Sequence, residues 1–196
     1  MRITRGRWAG RTLVSPAGRV RPTAEAVREA TLALVHGSLD GARVLDLFAG
    51  TGAIGLEALS RGAVSCDFVE NHPSALHALK ANITQLRARE RCRIFKRDAI
   101  PFVERLDPMC YDITFADPPY GSRKLDHVIA RWIDAPFSRL LVLEHDAAHD
   151  LPLAGTRHSS RRVDDTVVTL LRAPGRTAQS RTVHRRAPGH RGGREV

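Results

Sequence analysis

The sequence lacks most features of secreted, membrane-spanning or disulfide-rich proteins. It contains no apolar run of about eighteen residues, the length at which a segment becomes a candidate membrane-spanning helix. Its first residues lack the apolar segment of a signal peptide. It has only three cysteines, scattered and odd in number: Cys66, Cys92 and Cys110. Such cysteines favour buried thiols in a reducing compartment. We therefore expect a cytoplasmic protein that makes no contact with a membrane.

Patterns of metal ligands are also missing. Among the nine histidines, His145 and His149 are four residues apart, as zinc ligands on one helix would be. Asp146 follows the first of them, which is not the residue that a zinc metalloprotease has there, and no third ligand is evident. The sequence therefore predicts no metal site.

Acidic residues are absent from one end of the chain and scarce at the other. Residues 1–22 contain six arginines and no acid, and residues 172–196 contain seven arginines and one acid, Glu195. Each end carries +6 and the middle −2, which together give the net charge of +10. A uniform arginine bias would not remove acids from both ends, so this distribution favours binding to nucleic acid.

The stretch Val44–Gly55, VLDLFAGTGAIG, is the centre of the sequence. An apolar run is followed by Gly50, Gly52 and Gly55, and then by residues typical of a helix. Strand, glycine turn and helix begin many nucleotide-binding α/β units. Glycine allows the backbone to turn sharply and a ligand to lie close against it. Because this pattern alone is a weak indication, the residues around it must decide what it binds.

Strands and helices alternate along most of the chain. Apolar and amphipathic periodicity predicts strands over 43–48, 65–70, 92–95, 111–116, 140–144, about 155–163 and 166–172, and helices over 24–35, 54–61, 74–86, about 100–106 and 125–133. Alternation of this kind predicts a mostly parallel α/β sheet with helices on both faces.

The two ends of the chain are expected to differ from this central part. Residues 1–22 predict a basic N-terminal hairpin or arm, with Thr23 as the cap of the first helix. We expect residues 23–173 to form the α/β domain. Residues 174–196 are dominated by Pro, Gly and Arg, and we expect a disordered basic tail there.

Two kinds of ligand compete for the glycine turn. A dinucleotide would need an acid on its ribose, and Glu70, 20 residues after Gly50, has that spacing. Asp46 favours S-adenosylmethionine instead, because a carboxylate repels a pyrophosphate and attracts a sulfonium or an ammonium. Glu70 would then bind the ribose hydroxyls, and Asp98 the adenine amino group. All three acids lie at or near the carboxyl ends of predicted strands, where ligands of α/β sheets bind.

A second motif, Asp117-Pro118-Pro119-Tyr120, follows another apolar strand. The two prolines stiffen the turn. Asp117 and the carbonyl of Pro118 offer two fixed acceptors that would aim the lone pair of an exocyclic amine at a methyl donor. Tyr120 offers a ring on which a flipped base can stack. Together the two motifs predict methyl transfer to the amino group of a base.

These motifs resemble those of the RsmD family of 16S ribosomal RNA guanine-N2 methyltransferases, which are class I S-adenosylmethionine-dependent enzymes. The resemblance covers about residues 1–172 and also rests on the segments MRI (1–3), GRWAGR (6–11), RPT (21–23), VRE (27–29), LEALSRGA (56–63), FVE (68–70) and VLE (142–144). The chain departs from the family at residues 30–34, which lack the usual aromatic, at residues 163–166, which read VDDT where the family has YGDT, and in its basic tail.

The resemblance implies a Rossmann-like fold of seven strands in the order 3-2-1-4-5-7-6, with the last strand antiparallel and a small N-terminal β-hairpin. It implies methylation of the N2 amine of one guanine, of the position 966 type, in the small ribosomal subunit or its assembly intermediate, by a monomer. The site residues that it implies are Asp117, Pro118, Pro119 and Tyr120 for catalysis, Asp46, Phe48, Ala49, Gly50, Thr51, Gly52, Glu70, Asn71, Asp98 and Ala99 for the cofactor, and Arg5, Arg7, Arg11, Arg21, Thr23 and Arg28 for RNA.

Three other interpretations stay open at this point. Adenine-N6 methylation of DNA would use the same D-P-P-Y chemistry. A nicotinamide-dependent oxidoreductase would use the glycine turn and Glu70. A non-enzymatic RNA-binding protein would retain the fold alone.

Overall fold

The computed structural model of the protein describes residues 1–15, 22–119, 121–153 and 155–174. Its centre is a seven-stranded sheet with strands β1 Arg43–Leu47, β2 Ser65–Glu70, β3 Cys92–Lys96, β4 Tyr111–Ala116, β5 Ser138–Asp146, β6 His158–Val163 and β7 Thr166–Arg172. Most residues of β1, β2 and β4 are buried, as expected for parallel strands that are covered on both faces.

The described residues form five α-helices, of which the first precedes β1 and the other four connect the parallel strands. They are α1 Pro22–Leu34, α2 Ala53–Ser60, α3 Pro73–Gln85, α4 Ala99–Val103 and α5 Lys124–Asp134. The helix α3 begins with a proline, whose fixed φ suits the first turn. The side chain of Asp98 accepts a hydrogen bond from the Ile100 backbone N–H and so caps α4. No helix in the described part of the chain is both long and apolar enough to cross a membrane.

The strand order is β3-β2-β1-β4-β5-β7-β6. Strands β1 to β5 pair in parallel, while β7 runs antiparallel to both β5 and β6. This order confirms the prediction, including the antiparallel last strand. Because the order reverses between β1 and β4, the carboxyl ends of these two strands diverge into a crevice.

The apolar core lies in two layers on the two faces of the sheet. Helices α1, α2 and α3 cover one face, with Leu32, Leu59 and Leu79 fully buried there. Helices α4 and α5 cover the other face, where Val103 and Trp132 are buried. Helices therefore cover both faces of the sheet, which leaves the ends of its strands open to a ligand.

Residues 1–15 form the expected hairpin, although it pairs only briefly. Arg2 and Thr12 form an antiparallel bridge, and a short 3₁₀ turn, Gly6–Trp8, makes its tip. Ile3 and Leu13 are buried in the layer that holds α1 to α3. The hairpin therefore contributes to the main core.

Polar bonds fix the hairpin to α2. The carboxylate of Glu57, fully buried, accepts hydrogen bonds from the backbone N–H groups of Thr4 (3.0 Å) and Arg5 (2.9 Å). The side chain of Arg61 donates to the same carboxylate at 2.9 Å and to Glu29 at 2.6 Å. We call Glu29, Glu57 and Arg61, with Thr4, the hairpin anchor.

Several predicted features differ or lie outside the described residues. The first helix begins at Pro22, so Thr23 lies inside its first turn, and the prediction that Thr23 caps the helix was wrong. The helix α4 is shorter than predicted, and β5 is longer. Arg21, Tyr120 and the tail from residue 175 onward lie outside the described residues, as does the Thr23 side chain. The division of the chain into arm, domain and tail stays a prediction.

Candidate active site

The glycine turn after β1 depends on backbone conformations that favour glycine. Gly50 and Gly52 have φ values of 55° and 78°, and Phe48 shares this left-handed region at 58°. A Cβ on Gly52 would lie 2.3 Å from the Leu79 side chain. Both the close contact with Leu79 and the positive φ values therefore require glycine in this turn. The sequence pattern predicted the turn correctly.

Asp46 fixes this turn to the helix that follows. Its carboxyl group is buried and accepts a hydrogen bond from the Gly55 backbone N–H at 3.0 Å. A Cβ on Gly55 would lie 2.9 Å from this oxygen, so only glycine allows so close an approach. Burial raises the pKa of Asp46 well above its ordinary value, and the nearby Asp117 and Glu70 raise it further.

Glu70 and Asp98 lie at neighbouring strand ends, as predicted. Glu70 accepts hydrogen bonds from the backbone N–H groups of Gly50 (2.7 Å), Asn71 (2.8 Å) and His72 (2.7 Å). It therefore links the end of β2 to the glycine turn of β1. The hydrogen bond from Ile100 lowers the pKa of Asp98, and the ammonium of Lys124, 3.2 Å away, lowers it too. Both carboxylates can accept additional hydrogen bonds.

A cavity of about 230 Å³ opens between the ends of β1 and β4. It is lined by the glycine turn and by the first residue after β4, Asp117. Of the predicted cofactor residues, it takes in Asp46, Phe48, Ala49, Gly50 and Thr51. Glu70, Asn71, Asp98 and Ala99 lie outside its wall, at the ends of β2 and β3.

Three carboxyl groups line this cavity: Asp46, Asp117 and Glu144. Ala116 pairs with Leu143 across β4 and β5, so Asp117 and Glu144 occupy the next positions of these parallel strands. Among the described residues, neither of the two carboxyls has a hydrogen-bond or ion-pair partner. We call Asp117 and Glu144 the carboxyl pair.

The surroundings of the carboxyl pair disfavour its ionisation. Loss of water contact raises the pKa of Asp117 to about 6, even though this residue retains open surface at the cavity. Burial, and then repulsion by Asp117, raise the pKa of Glu144 to about 8. Acids with raised pKa values and no partner, in a cavity, are typical of functional sites. Such a wall favours a ligand rich in positive charge or in N–H donors and disfavours a phosphate.

Arg28 is the basic side chain among the residues that line the cavity. It was predicted to bind RNA, yet it is only 6% exposed, beneath the hairpin. It donates to the carbonyl of Arg2 at 2.8 Å and lies 3.7 Å from the Glu57 carboxylate. Its Nε has no hydrogen-bond partner among the described residues. This position does not offer a contact with an RNA backbone at the outer surface.

The predicted RNA-binding arginines of the hairpin lie at its tip. Arg7 and Arg11 line a groove of about 580 Å³ with Trp8, and the connection from α3 to β3 adds Arg87 and Arg91. The guanidinium of Arg7 lies 5.2 Å from the centre of the Trp8 ring. Arg5 is exposed and lies 3.6 Å from Glu29. The sequence pattern did not identify Arg87 and Arg91, because they are distant from the hairpin along the chain.

Glu144 was also missed as a site residue. It appeared only as part of a matching segment, although it ends a strand next to Asp117. An acid at the carboxyl end of an apolar strand was the available signal, the same one that identified Glu70. Without the pairing of β4 and β5, that signal gives no neighbour for the acid.

Comparison with known proteins agrees with this geometry. The family model described as Conserved hypothetical protein 95 matches residues 1–170. Ribosomal RNA small subunit methyltransferase D of Escherichia coli (strain K12) is 31% identical over 166 residues, which are 83% of this chain and 83% of that protein. The protein of the same name in Haemophilus influenzae is 32% identical over 133 residues, 66% of this chain and 69% of that one. The solved structure of Escherichia coli yhhF matches with a TM-score of 0.76 at 29% identity, over 88% of this chain and 97% of that chain.

Proposed function

The chain belongs to the RsmD family of ribosomal RNA small subunit methyltransferases, and we propose that it methylates the N2 amine of one guanine in 16S ribosomal RNA. The target is of the position 966 type. The methyl donor is S-adenosylmethionine. The substrate is the small ribosomal subunit or its assembly intermediate, and the protein acts as a cytoplasmic monomer.

The observation that carries this proposal is the composition of the cavity wall. Residues of the glycine turn and Asp117 of the D-P-P-Y motif line one cavity. A donor held by the first and an amine held by the second would therefore meet there. Positioning of this kind is the main requirement, because the methyl group of a sulfonium is already activated.

The residues around the cavity fit S-adenosylmethionine. The three carboxyl groups of the wall suit its ammonium and sulfonium, and the open glycine turn leaves room for its backbone contacts. Glu70 has acceptor capacity left for the ribose hydroxyls, and Asp98 for the adenine amino group. Gly52, Asn71 and Ala99 lie along the same strand ends and complete the proposed cofactor site.

Asp117 and the Pro118 carbonyl would hold the amine of the flipped guanine. With both amine hydrogens bound, the nitrogen lone pair is directed at the methyl group, and the N–CH₃ bond forms as the S–CH₃ bond breaks. An ionised carboxyl of the pair can accept the proton that the methylated amine then loses. Stacking of the base on Tyr120 remains part of the proposal.

The alternatives have weaker support. A nicotinamide dinucleotide would bring a pyrophosphate to a wall with three carboxyls and one buried arginine. Adenine-N6 methylation of DNA would use the same amine-binding motif, and its exclusion depends on the product.

Radiolabelled methyl transfer to small subunits that lack the modification, followed by nucleoside analysis, tests the proposal. We expect N2-methylguanosine as the product, with no transfer to subunits that already carry it. N6-methyladenosine from a DNA substrate would favour the adenine alternative. A thermal shift with NAD and none with S-adenosylmethionine would exclude both methyltransferase interpretations.

A further inference from the structure

Glu144 is placed to read the target base. It lies beside Asp117 in the register of β4 and β5, and it lines the cavity from the strand that follows the motif. It also lines a neighbouring cavity of about 580 Å³ together with Pro118 and Pro119. A base held by Asp117 and the Pro118 carbonyl would therefore lie against Glu144 as well.

The hydrogen-bonding groups of the target base indicate what a carboxyl at the position of Glu144 could recognise. In guanine the N2 amine is adjacent to N1–H, so the edge presents donors side by side. In adenine the N6 amine is adjacent to N1, which is an acceptor. Two neighbouring carboxyls that lack partners among the described residues offer acceptor oxygens to this row of donors, and in their ionised form they offer no hydrogen to the N1 acceptor of adenine.

We infer that Glu144 is a specificity-determining residue that accepts the N1–H of the target guanine while Asp117 holds its N2 amine. This inference rests on the proposed function. It goes beyond it, because the D-P-P-Y motif holds an amine without distinguishing guanine from adenine. Glu144 adds the second acceptor that only the guanine edge can satisfy.

The charges around Glu144 are consistent with one ionised carboxyl in the pair. Asp117 and Asp46 face the same cavity and oppose a second negative charge, while Arg28 is the basic side chain of the wall. His145, the next residue of β5, instead bonds to Thr169 and to the carbonyl of Asp146. A guanine that donates to both carboxyls would favour the ionised form of the second one, because hydrogen bonds donated to a carboxylate stabilise its charge.

The test compares two target bases in the same RNA. Small subunits would be assembled with 16S ribosomal RNA that carries guanine or 2-aminopurine at the target position. The base 2-aminopurine keeps the N2 amine but has an acceptor at N1. We expect the wild-type protein to favour guanine by about 10²-fold or more in single-turnover methylation, because a site built for an N–H rejects an analogue that lacks it.

The decisive variant is Glu144→Gln. Its amide can donate to the N1 acceptor of 2-aminopurine, so the preference for guanine should fall at least about tenfold. The affinity for S-adenosylmethionine should stay near the wild-type value, and the melting temperature should not fall below that of the wild type. Glu104→Gln, at an exposed position on the other side of the sheet, serves as the matched control and should change none of these quantities.

Each outcome decides one question. Equal losses on both bases would give Glu144 a merely structural role and overturn the inference. Weakened binding of S-adenosylmethionine would assign Glu144 to the cofactor and overturn it too. If the wild-type protein methylates neither substrate, it is the proposed function that fails.

Discussion

The hairpin anchor and the carboxyl pair are both clusters of acids, and the described residues supply hydrogen-bond donors to the first but not to the second. In the anchor, Glu57 is fully buried and receives backbone N–H donors from Thr4 and Arg5 and a guanidinium from Arg61. In the pair, Asp117 and Glu144 have no partner among the described residues, and their pKa values are raised.

This difference distinguishes acids that stabilise the fold from acids that are available to bind a ligand. A buried carboxylate with several donors is stable as a charge, and removing it leaves its partners unpaired. A carboxyl without donors is a cost to the folded state unless something binds it. The anchor should therefore respond to mutation in stability, and the pair in activity.

The largest effect is expected where the anchor is broken. Glu57→Ala leaves the backbone N–H groups of Thr4 and Arg5 without their acceptor and removes one of the two carboxylates that bind Arg61. It should cost about 3–5 kcal/mol in the free energy of unfolding. Urea denaturation measures this loss, and Glu104→Ala, at an exposed position, should change stability by less than about 0.5 kcal/mol. If Glu57→Ala cost no more than this control, the acid would not be the structural centre of the hairpin.

The matching change in the carboxyl pair should spare stability and lower the rate. Asp117→Asn keeps the shape of the side chain but replaces one of the acceptors for the target amine by a donor. We expect single-turnover methylation to fall by about 10²–10³, with the affinity for S-adenosylmethionine and the urea midpoint nearly unchanged. Near-normal rates would show that Asp117 is only a turn residue.

The pH dependence of stability should also have opposite signs in the two regions. The pKa of Glu144 is raised from 4.5 to about 8, so the folded state binds a proton that the unfolded chain releases, and stability falls as pH rises through this interval. Allowing for partial exposure, and with Asp117, Asp46 and Arg28 nearby, we expect a decline of about 1–2 kcal/mol.

The hairpin anchor should make stability depend on pH in the opposite direction. Burial of Glu29 disfavours its charge, yet the hydrogen bond from Thr4 and the guanidinium of Arg61 together lower its pKa. Its contribution is present above pH 4.5 and is lost on acidification. Denaturation at about pH 3–9 should therefore show a loss at both ends of the range, and Glu144→Gln should flatten only the alkaline one. A variant curve parallel to that of the wild type would contradict the raised pKa of Glu144.

The smallest effect concerns arginines that belong to neither region. Arg7 and Arg11 line the groove at the hairpin tip, and replacing both by alanine should leave stability and cofactor affinity unchanged. Removing one arginine that binds a phosphate should flatten the logarithmic salt dependence of RNA binding by about 0.7–0.9. Binding to small subunits across a salt series measures this slope, with Arg162→Ala on the edge strand β6 as the control. An unchanged slope would show that these arginines do not bind the RNA.

Much of the fold could be predicted because local signals coincide with it. The glycine turn, the D-P-P-Y strand end and the alternation of apolar runs each depend on a few neighbouring residues. The strand order followed from the family resemblance rather than from any local pattern. The cap at Thr23 failed because Pro22 can itself occupy the first turn of a helix.

The parts of the site that sequence alone could not supply depend on contacts between distant residues. Arg28 has an ordinary helical context, and only the burial of the hairpin over α1 places it beside the cavity. Glu144 can be identified as a site residue only from the register of β5 with β4, which places it beside Asp117. Arg87 and Arg91 reach the groove of Arg7 because α3 ends beside the hairpin. Contacts between residues that are far apart in the chain leave no local pattern in a single sequence from which they could be predicted.

The hairpin anchor has a consequence for the order of events during synthesis. The N-terminal residues are synthesised before the residues that bind them. Thr4 bonds to Glu57, 53 positions later, and Val14 bonds to Asn82, 68 positions later. At a ribosomal rate of about 5–20 residues per second, the second of these intervals lasts about 3–14 s. During it Ile3 and Leu13 remain uncovered. Proteolysis of stalled nascent chains should show the N-terminal segment becoming protected only once α3 has left the exit tunnel.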